Sequence, residues 1–405
     1  MHLLYDKTTR PKEKQLLWIS CLHLDRFLHK TSRIEVLEHL AKRGYNVTLF
    51  VARSRKKCVF KNSRVETIQV PLRHVPALSS IMFTGVVLLF LPYYILSKKP
   101  THIVTDPNIT ILGFVGASVL CRLRKVKLVL DVRSTPVEVS GFSSRLLAFF
   151  FDVSVLVAKR VFDGMTVITT LMKDEVCDKF GIDRGFPSVW TSGVSKALFD
   201  PSRYREKSQK LRDALGLDKH KFVVFYHGSF SKKRGLLDCV KSMNTLRDRA
   251  NSTDDVVLFL LGGGALSAIK EEIVRCGVGD SVVVHGPVDY SEVPAYIAMC
   301  DVAISALPDL PDWRYQSPLN VLEYLSMEKP VIATDIPAHR QIMGDSKCAI
   351  YTKSSEPGEL AEAINYAFNN RGDLPNLGSY GRRIVDENYT WEKVAEDLDT
   401  YLSVA

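Results

Sequence analysis

Three groupings in this 405-residue chain combine residue types and spacings that could do chemistry: a carboxylate at Glu323, a run of cations at Lys232-Lys233-Arg234, and the pair Asp131 and Arg133. An ionised carboxylate accepts hydrogen bonds but cannot donate them, so a vicinal diol, with two donors at fixed spacing, suits Glu323. The cations stand between Gly228-Ser229 and Gly235. Small residues there let backbone and charge approach a diphosphate together, with Arg234 the natural clamp and Lys233 beside it. Asp131 and Arg133 end the strand-like run 126–132, and polar groups at the carboxyl end of a parallel strand face the crevice where ligands bind. A guanidinium is no base at neutral pH. Charge stabilisation or a phosphate contact suits Arg133 better, with a structural ion pair to Asp131 as the plainer reading. Phosphate and sugar chemistry is the common theme.

The stretch 313–337, WRYQSPLNVLEYLSMEKPVIATDIP, shows how Glu323 would be positioned. Ser317 is a good N-cap and Pro318 suits the first turn of a helix, where its missing N–H costs nothing. Leu319, Val321, Leu322 and Leu325 then form an apolar face, and the run stops at Lys329-Pro330. Residues 331–334 read as a buried strand. The orphan N–H groups of this helix start, which Pro318 itself does not supply, make a ready anion site, with Glu323 one turn further in. Before and after this stretch, strands and helices alternate, which argues for doubly wound parallel sheets. The first strand is 15–20; Thr31 or Ser32 caps the following helix, Glu35 completes a capping box and Gly44 closes it. His29-Lys30-Thr31 at that helix start could contact a phosphate or simply lie on the surface. Later strands are expected at 45–51, 101–105, 126–132, 165–169 and 187–190. A second sheet opens at 222–226 with a basic turn at 227–235, and continues at 256–261 into a Gly262–Gly264 turn, then at 281–285 and 301–305.

Ser-Pro-x-x-x-x-Glu-Tyr-Leu followed by Lys-Pro-Val-Ile-Ala-Thr-Asp resembles the nucleotide-sugar site of family-four retaining glycosyltransferases of the GT-B fold. The resemblance implies that Glu323 binds the nucleotide ribose and that the helix start faces the diphosphate. It departs from the family at Asn320, where many members have Lys, and at Tyr315, where many have a first Glu. It implies that Ser229 and Arg234 occupy the places of the family's Arg and Lys. It also implies that the loop Gly286-Pro287-Val288 reads the base, and that Arg133 sits where some members carry a His facing the reacting sugar. Trp190 to Val194 resembles the interdomain passage, and the helix to Leu402 resembles the terminal helix that crosses back.

Composition fits a globular protein of two domains. The eight cysteines are scattered, with no Cys-x-x-Cys, so neither a zinc site nor a disulfide framework is expected, and reduced thiols in a cytosol are. The N-terminus is charged and precedes an apolar run too short for a secretory signal. Residues 1–200 carry 30 Lys+Arg against 16 Asp+Glu, whereas residues 201–405 carry 24 against 29. An excess confined to one half suggests an anionic partner, such as a membrane surface or lipid phosphate, against the plainer reading of a solvated basic surface. The run 81–96, with Pro92 inside, falls short of the roughly 20 residues a spanning helix needs. It is either a buried helix or one whose outer face dips into a bilayer interface, as is 145–162.

These observations lead to an α/β chain of GT-B architecture: two facing Rossmann-like doubly wound domains, 1–200 for the acceptor and 201–388 for the nucleotide sugar, with 389–405 as a returning helix. The expected activity is transfer of a sugar from a nucleoside diphosphate sugar to a glycan, lipid-linked or envelope acceptor, with retention and without a metal or other cofactor. Arg133, Asp131 and Arg234 would serve the chemistry. Gly228, Ser229, Lys233, Arg234, Gly286, Val288, Tyr315, Ser317, Pro318, Leu319, Asn320 and Glu323 would hold the nucleotide sugar. The expected place is the cytoplasm, at the cytoplasmic face of a membrane, with no nucleic-acid partner. A non-catalytic nucleotide-sugar-binding subunit and a sugar-nucleotide epimerase of the same architecture are the alternatives.

Overall fold

The computed structural model describes residues 14–23, 30–52, 60–72, 78–135, 142–249, 255–345 and 347–404. The chain divides into two compact units. One comprises Met1–Val167, Lys173–Trp190 and Ala395–Ala405; the other comprises Ile168–Met172 and Thr191–Val394. His29 and Cys58 lie outside the described residues, and the seven described cysteines are all free thiols.

The first unit is built from β1 (Lys14–His23), α1 (Lys30–Lys42), β2 (Tyr45–Ala52), β3 (Val65–Val70), α2 (Leu78–Lys98), β4 (His102–Thr105), α3 (Leu112–Arg124), β5 (Lys127–Val132), α4 (Phe142–Val161), β6 (Gly164–Val167), α5 (Thr170–Phe180) from Lys173 on, and β7 (Pro187–Val189). Its strands are all parallel, in the order β3-β2-β1-β4-β5-β6-β7. The near-continuous apolar run Leu16 to Ile19 is fully buried, as a central strand covered on both faces requires. The expected hydroxyl cap of α1 is not formed: Thr31 and Ser32 lie inside the helix, which begins at Lys30. The inward pull on the first turn comes instead from Arg33, which is buried and paired with two carboxylates. The expected 16-residue helix is also corrected. α2 runs 21 residues straight through Pro92, long and apolar enough by length and composition to cross a membrane. It is nevertheless fastened to the sheet. Phe50 on β2 stacks on Phe90 at 4.1 Å, and the Tyr94 hydroxyl donates to Thr48 Oγ1 at 2.7 Å.

The second unit contains α6 (Arg205–Ala214), β8 (Phe222–Phe230), α7 (Leu236–Arg249), β9 (Val256–Gly264), α8 (Leu266–Cys276), β10 (Val282–His285), α9 (Val293–Ala298), β11 (Val302–Ser305), α10 (Pro311–Arg314), α11 (Leu319–Ser326), β12 (Val331–Thr334), α12 (Pro337–Met343), β13 (Ala349–Thr352), α13 (Pro357–Asn369) and α14 (Leu374–Asn388). α15 (Trp391–Val404) then closes the chain. The sheet is parallel, ordered β10-β9-β8-β11-β12-β13. Alternation along β8 sorts two cores: Val223 and Phe225 pack on one face, Phe222, Val224 and Tyr226 on the other. Two expected turns prove to be strand. Residues 227–230 continue β8 and pair with 261–264 of β9. The glycines permit this close pairing, since a Cβ on Gly262 would stand 1.9 Å from the Gly228 carbonyl oxygen.

Candidate functional site

In an open parallel sheet the ligand crevice forms at the carboxyl ends of the strands where their order reverses. In the second unit that point lies between β8 and β11. After β8, Ser231 caps a single 3-10 turn, Lys232–Arg234, by accepting from the Lys233 amide at 3.2 Å. Gly235 follows with φ 71°, and a Cβ there would meet the Ala306 carbonyl oxygen at 1.9 Å, so only glycine lets the turn press onto the end of β11. Trp313 fixes the turn from the other side. Its Nε1–H donates to the Lys233 carbonyl at 2.9 Å, and the Arg234 guanidinium lies over its ring at 4.7 Å. Trp313 is buried while Lys232 and Lys233 are exposed and Arg234 is half-buried. The three cations are thereby presented from a rigid base. Gly228 is exposed, and the Ser229 carbonyl accepts from the Tyr226 hydroxyl at 3.0 Å.

The helix start opposite differs by one position from the expectation. Pro318, not Ser317, is the N-cap, and no side chain caps α11. Ser317 is buried one residue outside, its hydroxyl 3.1 Å from Thr191 Oγ1 and its carbonyl accepting from Ser192 Oγ at 3.2 Å. The physical reason is the extended backbone at Pro318 (ψ 107°), which delays helical geometry until Leu319. The positive end of α11 therefore sits at Leu319 and Asn320. Asn320 turns its side chain back, its Oδ1 accepting from the Val321 amide at 3.1 Å. Tyr315 is half-buried, and its carbonyl accepts from Thr169 Oγ1 at 2.8 Å. Of the loop expected to read a base, Gly286 is exposed and Val288 leans on the apolar core.

Glu323 is only 1% exposed, and each of its oxygens has a protein neighbour. Oε1 accepts from the Tyr290 hydroxyl at 2.6 Å, and Oε2 lies 2.9 Å from His227 Nε2. The open carboxylate expected from the sequence is thus a covered one. His227 is itself held through its backbone amide, which donates to the buried Tyr324 hydroxyl at 2.8 Å. Tyr290 packs edge-on against Phe199 at 5.6 Å. Neither His227 nor Tyr290 was assigned a role from the sequence. The available signal was weak: His227 opens the basic stretch, whereas Tyr290 lies 33 residues before its partner with no motif around it.

Another group missed from the sequence is His339, on α12 behind the crevice. Its Nδ1–H donates to the Thr334 carbonyl at 2.7 Å, leaving Nε2 to accept from Ser305 Oγ at 2.9 Å. Full burial pushes its pKa down from 6.5 to about 4. The unfolded chain takes up this proton near pH 6.5 and the folded protein only near pH 4, so stability falls with pH across that window. Linkage puts the loss at about 2 kcal/mol by pH 5. Denaturant unfolding at pH 7 and pH 5 should show it, and His339→Gln should remove that part of the slope.

In the first unit the strand order reverses between β1 and β4, and the protein's own side chains fill that point. Arg33 bridges Asp106 at 2.6 Å and Asp131 at 3.1 Å, and Asp106 also accepts from Ser20 Oγ. Burial raises the Asp106 pKa, with Arg33 opposing it. Asp131 accepts on Oδ1 from Thr166 Oγ1 at 2.8 Å and Trp190 Nε1 at 2.9 Å and is fully enclosed. Enclosed in this way, Asp131 orients Arg33 and Trp190 and presents no open carboxylate, in contrast to the crevice-facing group expected from the sequence. Arg133 is also buried, its guanidinium 3.6 Å above the Trp190 ring and donating to the Trp190 carbonyl at 2.6 Å. Burial pushes its pKa down to about 10, which still leaves it charged at neutral pH.

Comparison with known proteins places this geometry. The model of the glycosyl transferases group 1 family matches residues 207–384. A D-inositol 3-phosphate glycosyltransferase of Paenarthrobacter aurescens is 24% identical over 249 residues, which are 60% of this chain but only 59% of that relative's length. Sucrose-phosphate synthase from Thermosynechococcus elongatus superposes with a TM-score of 0.78 at 17% identity, covering 96% of this chain and 98% of that one. Anabaena HepE in complex with UDP and glucose superposes with a TM-score of 0.73 at 15% identity, covering 96% and 99%. The resemblance first met in the 317–337 signature is carried by both the fold and the family model: this chain has the GT-B fold, and its residues 207–384 belong to the group 1 glycosyl transferases.

Proposed function

We propose that the protein transfers a sugar from a nucleoside diphosphate sugar to a hydroxyl of a glycan or lipid-linked acceptor, with retention at the anomeric carbon. The observation that carries this reading is the Trp313 tether. It fixes Lys233 and Arg234 to the segment whose chain runs on into the uncapped start of α11. A departing diphosphate gains charge as the sugar takes on oxocarbenium character, and preorganised cations and helix N–H groups stabilise that charge without reorganising. Lys232, Lys233 and Arg234 supply positive charge from the protein itself, so we expect turnover to be indifferent to a metal chelator. In this reading the donor ribose displaces the Tyr290 hydroxyl from Glu323. Retention is inferred from the 317–325 signature. An acceptor rich in hydroxyls or phosphate is favoured by the inositol phosphate named for the Paenarthrobacter relative, and a UDP donor by the Anabaena complex. That the named relative is itself a transferase favours transfer over epimerisation or non-catalytic binding. We place the reaction in the cytoplasm.

The test is a panel of nucleoside diphosphate sugars, scored first for thermal stabilisation and then for slow hydrolysis, with the anomer of the released sugar followed by NMR. Stabilisation by at least one sugar nucleotide and a product of unchanged configuration are expected, with and without EDTA. Failure of every nucleotide to stabilise the protein sinks the reading, an inverted product removes retention, and loss of turnover in EDTA removes the metal-free mechanism.

A further inference from the structure

The outward side of the first unit's helical layer is apolar in a way that fold and core leave unexplained. The crossovers β3-α2-β4, β4-α3-β5 and β5-α4-β6 all step in the same direction along the sheet. Right-handed crossovers therefore put α2, α3 and α4 side by side on one face. Their contacts agree. A Cβ on Gly113 of α3 would meet Val87 of α2 at 3.2 Å, and Ser154 of α4 donates to the Asn108 carbonyl at 3.2 Å, just ahead of α3. The inner sides pack on the sheet, yet the outer sides stay largely apolar, with Arg145 and Asp152 of α4 the charged residues ahead of the helix ends. Leu89 is 81% exposed, Leu123 75%, Tyr93 69%, Val119 63% and Phe149 59%. α2 has no charged residue before Lys98 and α3 none before Arg122. A contiguous exposed apolar face of this kind marks an interaction surface.

Charge identifies the partner. Each helix runs antiparallel to the strands, so all three end at the edge where β4, β5 and β6 begin. Lys98 and Lys99 stand exposed at the end of α2, Arg122, Arg124 and Lys125 at the end of α3, and Arg160 at the end of α4. One cation per helix would suffice to complement the helix dipole; a continuous band is more than that requires. The nearest acids are already paired, Asp163 with Lys127 and Asp152 with Lys179. An apolar face bordered on one edge by cations matches acyl chains beneath anionic headgroups. A second copy of this chain fits worse, because it would set basic band against basic band.

We infer that the outer face of α2, α3 and α4 docks in the plane of an anionic lipid bilayer, with the apolar side chains below the headgroups and the basic band among the lipid phosphates. Although α2 is long enough to span, its stacking on Phe50 and its hydrogen bond to Thr48 hold it in the fold, so docking is peripheral. The inference does not depend on the transfer reaction.

Flotation of the full chain with phosphatidylcholine vesicles, with and without about a third phosphatidylglycerol, tests it at about 0.1 M and 1 M salt. Binding is expected only to the anionic vesicles, weakened at high salt. Two variants separate the components: Leu89→Glu with Leu123→Glu removes the apolar contact, and Lys98→Glu with Arg122→Glu reverses charge in the band. Each pair should lower partitioning by about tenfold or more. All four side chains are exposed, so melting temperatures should match the parent. No binding to anionic vesicles at low salt overturns the inference. So does retention after alkaline washing, which marks a spanning helix. A dimer in sedimentation that the Leu89→Glu, Leu123→Glu variant dissolves, without any lipid binding, also overturns it.

Discussion

Glu323→Gln should weaken binding of the nucleoside diphosphate sugar by about tenfold to a hundredfold. Hydrogen bonds to a charged group contribute about 1.5–3 kcal/mol, and the substitution removes the charge while keeping the shape. The empty protein should tolerate it. The Tyr290 hydroxyl still finds a carbonyl oxygen on the new side chain, and the amide can turn its NH2 towards His227 Nε2. Glu323→Ala is different, because it strands Tyr290 and His227 around a buried gap and should cost about 2–4 kcal/mol of stability as well. Tyr290→Phe separates the two roles of this carboxylate. If ribose displaces the phenol, losing the phenol hydroxyl removes a competitor, and affinity should hold or improve, up to about tenfold for a hydrogen bond of this strength. Calorimetry on the three variants decides the matter. A Gln variant that binds as tightly as the parent, or a Tyr290→Phe variant that binds markedly worse, would show that Glu323 is a structural partner in a buried polar cluster and not the ribose acceptor.

Arg234→Ala should lower kcat/KM by about a hundredfold to a thousandfold, the loss seen when one preorganised charge-stabilising group is removed. Most of the loss should fall on kcat, since the diphosphate gains charge as the glycosidic bond breaks, while KM should rise less. Arg234→Lys should recover only part of it. An ammonium restores the charge but lacks the planar fork that lies over Trp313 and that a bidentate contact to a phosphate would need. Trp313→Phe offers a second readout: it keeps a ring beneath the guanidinium but drops the bond to the Lys233 carbonyl. The cations then remain while the turn is released. A Trp313→Phe variant with unchanged kcat would show that the tether is unnecessary, and an Arg234→Ala variant with full activity would remove the cationic turn from the mechanism.

Much of this architecture was legible in order along the chain because local rules act locally. Continuous apolar runs such as 222–226 and 256–261, short and rich in β-branched and aromatic residues, read as central strands of covered sheets, and their alternation with helical segments argues for parallel crossovers. The 317–337 signature was legible for the same reason, since a helix start, a carboxylate one turn in and a buried strand are near neighbours in sequence.

What the sequence could not determine was decided by contacts between distant residues. Nothing near Tyr290 says that its hydroxyl reaches Glu323, and nothing near Arg33 says that it will draw in Asp106 and Asp131 from two other strands. Spacing therefore predicted an accessible Asp131 and an open Glu323, whereas packing encloses both. Buried polar groups must find partners wherever the fold brings them together. Strand ends shifted for a related reason. Gly228 and Gly262 read as turn residues by composition, but with no side chains between them two backbones approach closely enough to extend the ladder. The exposed face of α2, α3 and α4 belongs to the same class. The sequence shows an apolar helix, but only the sheet order decides which side of it the core covers and which side is left for something else.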